Sequence, residues 1–223
     1  MLFIGLEDPV FLLYFLIGFL VGFTIHECSH ALAAYALGDP TAKDKGRLSL
    51  NPLVHLHPLG TLSILLLGLG WGRPVPVDAA RLRPGPKIGM ALVGLAGPLA
   101  NLLTAAILAI PLRLHLIPFM PQKIGGFIIS YGLLLSLVVW LNIGMALFNL
   151  IPLMPLDGSR LLAAFLPSRW FNILARYELY GLILILLLIV LERFTQVGIL
   201  TGLLYEPINS VWEWLTNLTS PFR

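Results

Sequence analysis

The sequence predicts an all-α polytopic membrane protein, with a three-helix core, one or two further spans, and a re-entrant or short β segment between spans one and two. Three observations carry this expectation. Of 223 residues, 58% are hydrophobic and only 11% are charged, and the mean hydropathy is +0.91. A soluble domain carries about a quarter charged residues. Several apolar runs approach or exceed the roughly 20 residues that cross a bilayer. Between them lie short stretches rich in proline and glycine, none long enough for an appended soluble domain. The lipid bilayer is the expected partner. A net charge of +3 and a pI near 9.2 give no reason to expect nucleic acid.

Span one is expected from about Val10 to Leu37. Glu7 and Asp8 stand where a signal peptide would be basic, so the run reads as a retained helix. Span two runs from about Ile88 to Leu112, opened by Pro84 and Pro86. Span three starts near Phe127 and ends where Pro152 and Pro155 break it. Span four, about Tyr177 to Leu191, is short, so tilt or local thinning is expected. The apolar stretch 59–71 would reach only about 20 Å as a helix, short of a roughly 30 Å hydrocarbon core, and reads as re-entrant or surface-bound. Residues 197–218 are amphipathic, with interfacial Tyr205, Trp212 and Trp214, and either lie on the surface or cross again. The chain thus reads as one membrane-embedded domain, 1–223, with a core of about 10–165 and a C-terminal span and tail over 166–223.

Basic residues give the direction. Lys43, Lys45, Arg47, Arg73, Arg81, Arg83, Lys87, Arg160, Arg169 and Arg176 fall on one side, against Arg113, Lys123 and Arg193 on the other. By the positive-inside rule the ends of spans one and three face the cytoplasm.

Inside span one, residues 26–30 read His-Glu-Cys-Ser-His. Positions i and i+4 share a helix face, so His26 and His30 can reach one metal ion. Glu27, beside the first of them, is placed to act as general base. Ionisable groups at membrane depth are costly and mark function. A catalytic zinc site needs a third protein ligand and an open position. Asp157 is the candidate, in Asn149-Leu-Ile-Pro-Leu-Met-Pro-Leu-Asp157-Gly158, where two prolines unwind the helix end and Gly158 permits a tight turn. If 59–71 does not cross, spans one and three are parallel and both motifs sit toward one face.

His26-Glu-Cys-Ser-His30, Gly97-Pro-Leu-Ala-Asn101 and Asn149 through Gly158 together resemble the intramembrane site-2 metalloprotease family. The text around Ala33–Pro40 and Gly46–Leu53 is similar to its short prokaryotic branch, without PDZ or CBS domains. The resemblance covers about residues 20–165. It implies one Zn2+ per chain held by His26, His30 and Asp157, with Glu27 as base. It also implies hydrolysis of membrane-anchored proteins within or near a transmembrane helix, in a prokaryotic cell membrane with the site toward the cytoplasm.

Asn149 is read as a substrate or transition-state donor and Asn101 as packing and support for a ligand. His55 and His57 would point to one side of an extended segment, either near the metal as a gate or extra ligand, or at the interface. His115 reads as a surface residue and Cys28 as packing. Two other uses of the same ligands stay open, a metal transporter and an inactive helix-binding scaffold. A transporter would want ligands on both sides of the membrane, and a scaffold would not need Glu27.

Overall fold

The computed structural model describes residues 8–67, 71–124, 127–167, 178–195 and 198–222. Among these, three helices are long and apolar enough to cross a membrane: α1 (Pro9–Ala36), α4 (Pro86–Arg113) and α5 (Tyr131–Asn149). Around them lie α2 (Thr41–Asp44), α3 (Pro58–Leu67), α6 (Asp157–Phe165), α7 (Glu178–Thr195) and α8 (Ile199–Thr216). Short 3-10 turns occur at Pro52–Val54 and Ala79–Arg81.

Local chemistry sets the ends of the core helices. Asp8 Oδ1 accepts the Phe11 amide at 2.9 Å, and Pro9 fills the first helical position, so α1 starts there. Gly38, at φ +107°, stops it in a conformation that a side chain would resist. Ser130 caps α5, its Oγ accepting from the Leu133 amide at 3.2 Å. Helix α5 therefore begins four residues later than the apolar run suggests. Residues Phe127–Ile129 instead pair antiparallel with Gln122–Ile124 in a small hairpin, β1 and β2.

Contacts fix the directions. Asn101 of α4 bonds the Gly22 carbonyl and His26, while the Val93 carbonyl meets His30, so α4 runs antiparallel to α1. Gly18 lies against Val138 and Leu141, and Gly22 against Asn142 and Met145, so α5 runs parallel to α1. The re-entrant expectation for 59–71 has a geometric counterpart. Leu56 and Gly72 form an antiparallel bridge, and the Arg73 amide donates to the His55 carbonyl at 2.7 Å, so both ends of the excursion meet. Between those ends, Ile64 of α3 packs with Tyr14, Phe15 and Leu137 along α1 and α5.

Helix α8, over most of the amphipathic stretch 197–218, packs against the core helices. It buries Ile208 and Trp212 against Ala105, Ala109 and Leu112 of α4 and Val139 and Ile143 of α5. Arg113 donates to the carbonyls of Trp214 and Leu215 at 2.8 and 3.2 Å. Glu192 of α7 accepts from the amides of Leu200 and Thr201 and from the Thr201 hydroxyl, capping the start of α8.

At the basic end, Asp39 staples two loops. It is fully covered and accepts from the Thr41 amide (3.0 Å), the Thr41 hydroxyl (2.5 Å) and the Asp78 amide (2.7 Å). Burial works against its ionisation. These donors and nearby Arg81 outweigh it and hold its pKa below the ordinary carboxylate value. A depressed folded pKa contributes stability above the unfolded value of about 3.9, lost as pH falls through the folded value. The Asp39→Ala variant is expected to melt earlier than wild type at pH 7 in detergent. The difference should shrink as pH drops below about 4. An unchanged gap at low pH would show that the carboxylate charge is not what stabilises this loop.

Candidate metal centre

Three side chains from two separated parts of the chain converge. His26 Nε2 lies 3.0 Å and His30 Nε2 3.1 Å from the same oxygen, Asp157 Oδ2, and all three residues are buried. Among the described residues, these form the group of His, Cys, Asp and Glu able to hold a metal ion, their donor atoms within 4.8 Å of one another. The two imidazoles come from adjacent turns of α1 and stand nearly perpendicular, at 89°, with centroids 4.6 Å apart. Asp157 opens α6 after the break at 150–156, so its carboxylate sits on the positive end of that helix.

Glycine sets two close approaches. A Cβ on Gly97 of α4 would lie 2.6 Å from His30 Cε1 and 2.7 Å from His26 Nε2. Gly158, expected to permit a turn, is helical instead. A Cβ there would lie 2.3 Å from the Leu150 carbonyl oxygen, so glycine lets α6 dock on the end of α5 and carry Asp157 inward.

Hydrogen bonds from the far side of each ring test whether zinc suits the site. His30 Nδ1 lies 2.7 Å from the Val93 carbonyl and His26 Nδ1 lies 2.6 Å from Asn101 Oδ1. Both partners are oxygens that can only accept, so each Nδ1 carries the proton and each Nε2 presents a lone pair toward Asp157. Two imidazole nitrogens and one carboxylate oxygen match the donor set of a catalytic zinc site.

The group opens on a cleft of about 830 Å³ between α1 and α5, with α7 and α8 contributing to its walls. Glu27 and Arg160 are among its lining residues. Phe15, Phe19 and Phe23 line one side at helical spacing, stacked at 6.4 and 5.4 Å. Asn149 also lines the cleft, its Nδ2 donating within its own helix to the Met145 carbonyl at 2.9 Å.

The two loop histidines stand apart from the ligand group. His55 is fully buried, donates from Nε2 to the Ser49 carbonyl at 2.9 Å, and meets Phe23 edge-on. His57 stacks on Trp71, a cleft residue, at 6.4 Å. His115 is exposed at the end of α4, and Cys28 is half-buried outside the group.

Three contributors escaped sequence reasoning. Asn142 bonds Asn101, Val93 supplies a backbone carbonyl, and Arg160 Nη1 lies 4.0 Å from Asp157 Oδ1. An amide within an apolar span was the available signal for Asn142. The other two depend on helix register.

The chain is similar to curated proteins named as zinc metalloproteases. It is 41% identical over 167 residues to "Putative zinc metalloprotease YwhC" of Bacillus subtilis, covering 75% of each chain. It is 29% identical over 170 residues to "Putative zinc metalloprotease Rip2" of Mycolicibacterium smegmatis, covering 74% of this chain and 62% of that one. It is 34% identical over 107 residues to "Zinc metalloprotease MJ0392" of Methanocaldococcus jannaschii, covering 48% of this chain and 26% of that one. No family model and no solved structure matches.

Proposed function

This chain belongs to the zinc metalloprotease family of these relatives, and we propose that it is an intramembrane endopeptidase of the site-2 type, cutting membrane-anchored proteins within or near a transmembrane segment. The observation that carries the reading is the placement of the His26, His30 and Asp157 donors beside Glu27 on a cleft between two spanning helices. A soluble protease has no reason to put these groups there, because each costs several kcal/mol to strand in hydrocarbon.

In this reading His26, His30 and Asp157 hold the zinc. When bound, zinc supplies a Lewis acid that polarises the scissile carbonyl and lowers the pKa of water to about 7. Glu27 takes a proton from the attacking water and returns it to the leaving amine, so the C–N bond breaks as hydroxyl joins the carbonyl carbon. The apolar walls, Phe15, Phe19 and Phe23 among them, bind the substrate segment and exclude lipid and bulk water. Asn149 is placed to donate to substrate or to developing negative charge from the hydrogen not used on Met145.

In this reading the chain is one membrane-embedded domain, with the catalytic core at about 10–165. The chain sits in a prokaryotic cell membrane with the centre near the cytoplasmic face, a reading supported by the basic residues around α2, before α4 and on α6. Comparing native membranes holding wild type or Glu27→Gln tests it. Full-length forms or stubs of single-span proteins should accumulate with the variant. Indistinguishable membrane proteomes would count against a proteolytic role.

A further inference from the structure

We propose that Asn142 is a positioning residue for the metal centre, acting through Asn101 to fix which ring nitrogen of His26 faces the metal. The inference rests on His26 being a ligand, as proposed above.

The chain of hydrogen bonds reads in only one direction. It begins at the Val138 carbonyl, which can only accept. Asn142 Nδ2 donates to it at 2.8 Å, so Asn142 Oδ1 is the atom presented to Asn101. Asn101 Nδ2 donates to that oxygen at 2.9 Å and to the Gly22 carbonyl at 3.0 Å. Both hydrogens of that amide are then used, and Asn101 Oδ1 is left facing His26 Nδ1 at 2.6 Å. Reversing either amide would set oxygen against oxygen at Val138 or Gly22, and such networks decide amide orientation. His26 Nδ1 must therefore carry the proton, and Nε2 keeps its lone pair for the metal.

Both asparagines are fully buried, in spans where an amide is costly unless its bonds are made. Room is made for them as well. A Cβ on Gly22 would lie 3.2 Å from Asn142 Oδ1 and 3.3 Å from Asn101 Nδ2. The three spanning helices each supply one part, so the register of α5 is transmitted to a histidine on α1. The Gly22 carbonyl holds one Asn101 hydrogen by itself. Without Asn142 the second would be buried with no partner, and a single bond would be left to hold Asn101 behind His26.

Partners behind ligating histidines are typically worth about 10- to 100-fold in metal affinity. The test uses the full chain in detergent, with zinc affinity read by competition against a chromogenic chelator. Asn142→Leu and the smaller Asn142→Ala should each bind zinc about tenfold more weakly. Asn142→Asp, kept neutral by burial, can donate its hydroxyl to Val138 and still accept from Asn101, so it should bind within about threefold of wild type, below that 10- to 100-fold range. Asn209→Leu, a buried amide change at the α5–α8 contact, should leave affinity unchanged while altering thermal stability. Wild-type affinity in both Asn142→Leu and Asn142→Ala, or equal weakening in Asn142→Asp, would overturn the proposal. His26→Ala runs alongside. If it keeps wild-type zinc affinity, the ligand assignment beneath the proposal fails, a result distinct from failure at Asn142 alone.

Discussion

Replacing Glu27 with Gln is expected to leave the fold and zinc content intact and to lower turnover by about 10² to 10⁴. The amide is nearly the same size and shape, so packing beside His26 is kept. It cannot accept the proton of the attacking water, and that is the whole of the expected loss. Glu27 lies on the cleft wall, while its carboxylate is not among the three groups that converge. Zinc should therefore bind the variant as it binds wild type. The measurement pairs metal content of the purified protein with its rate on a single-span substrate in liposomes. Near-normal turnover in a zinc-replete variant would remove Glu27 from the chemistry.

Replacing Gly97 with Ala should be as damaging, by a different route. The added methyl would sit 2.6–2.7 Å from both imidazole rings, closer than real Cβ contacts come. The rings cannot retreat easily, because Val93 and Asn101 tie their far sides. Alanine is otherwise a better helix former than glycine, by roughly 1 kcal/mol, so helicity should survive. The expected outcome is a folded protein with zinc far below one per chain and no detectable proteolysis, like Asp157→Ala. A full zinc complement in Gly97→Ala would show that α4 does not press on the site as described.

Much of this arrangement was legible in the residues, for identifiable reasons. Ionisable groups inside an apolar run stand out, so His26, Glu27 and His30 could be picked by depth and spacing alone. Asp157 could be reached because Pro152 and Pro155 end α5 there and the parallel course of spans one and three returns that end to the same face. Other features were hidden by the solvent. In lipid a helix has no polar face, so apolar periodicity does not say which side of α4 or α5 turns inward. The contact of Gly97 with the rings, the His30 bond to a backbone carbonyl, and the pairing of Asn142 with Asn101 all depend on that rotation. The short β segment expected between spans one and two is, among the described residues, a single bridge between Leu56 and Gly72.

The central claim, zinc-dependent proteolysis inside the bilayer, is tested most directly by mapping fragment ends. Zinc-loaded protein and a single-span substrate are co-reconstituted in liposomes and the products are read by mass spectrometry. The account predicts new termini within or at the edge of the substrate's transmembrane segment. They should be produced by wild type and be absent with Glu27→Gln. Cleavage confined to soluble loops, or the same termini from Glu27→Gln, would contradict it.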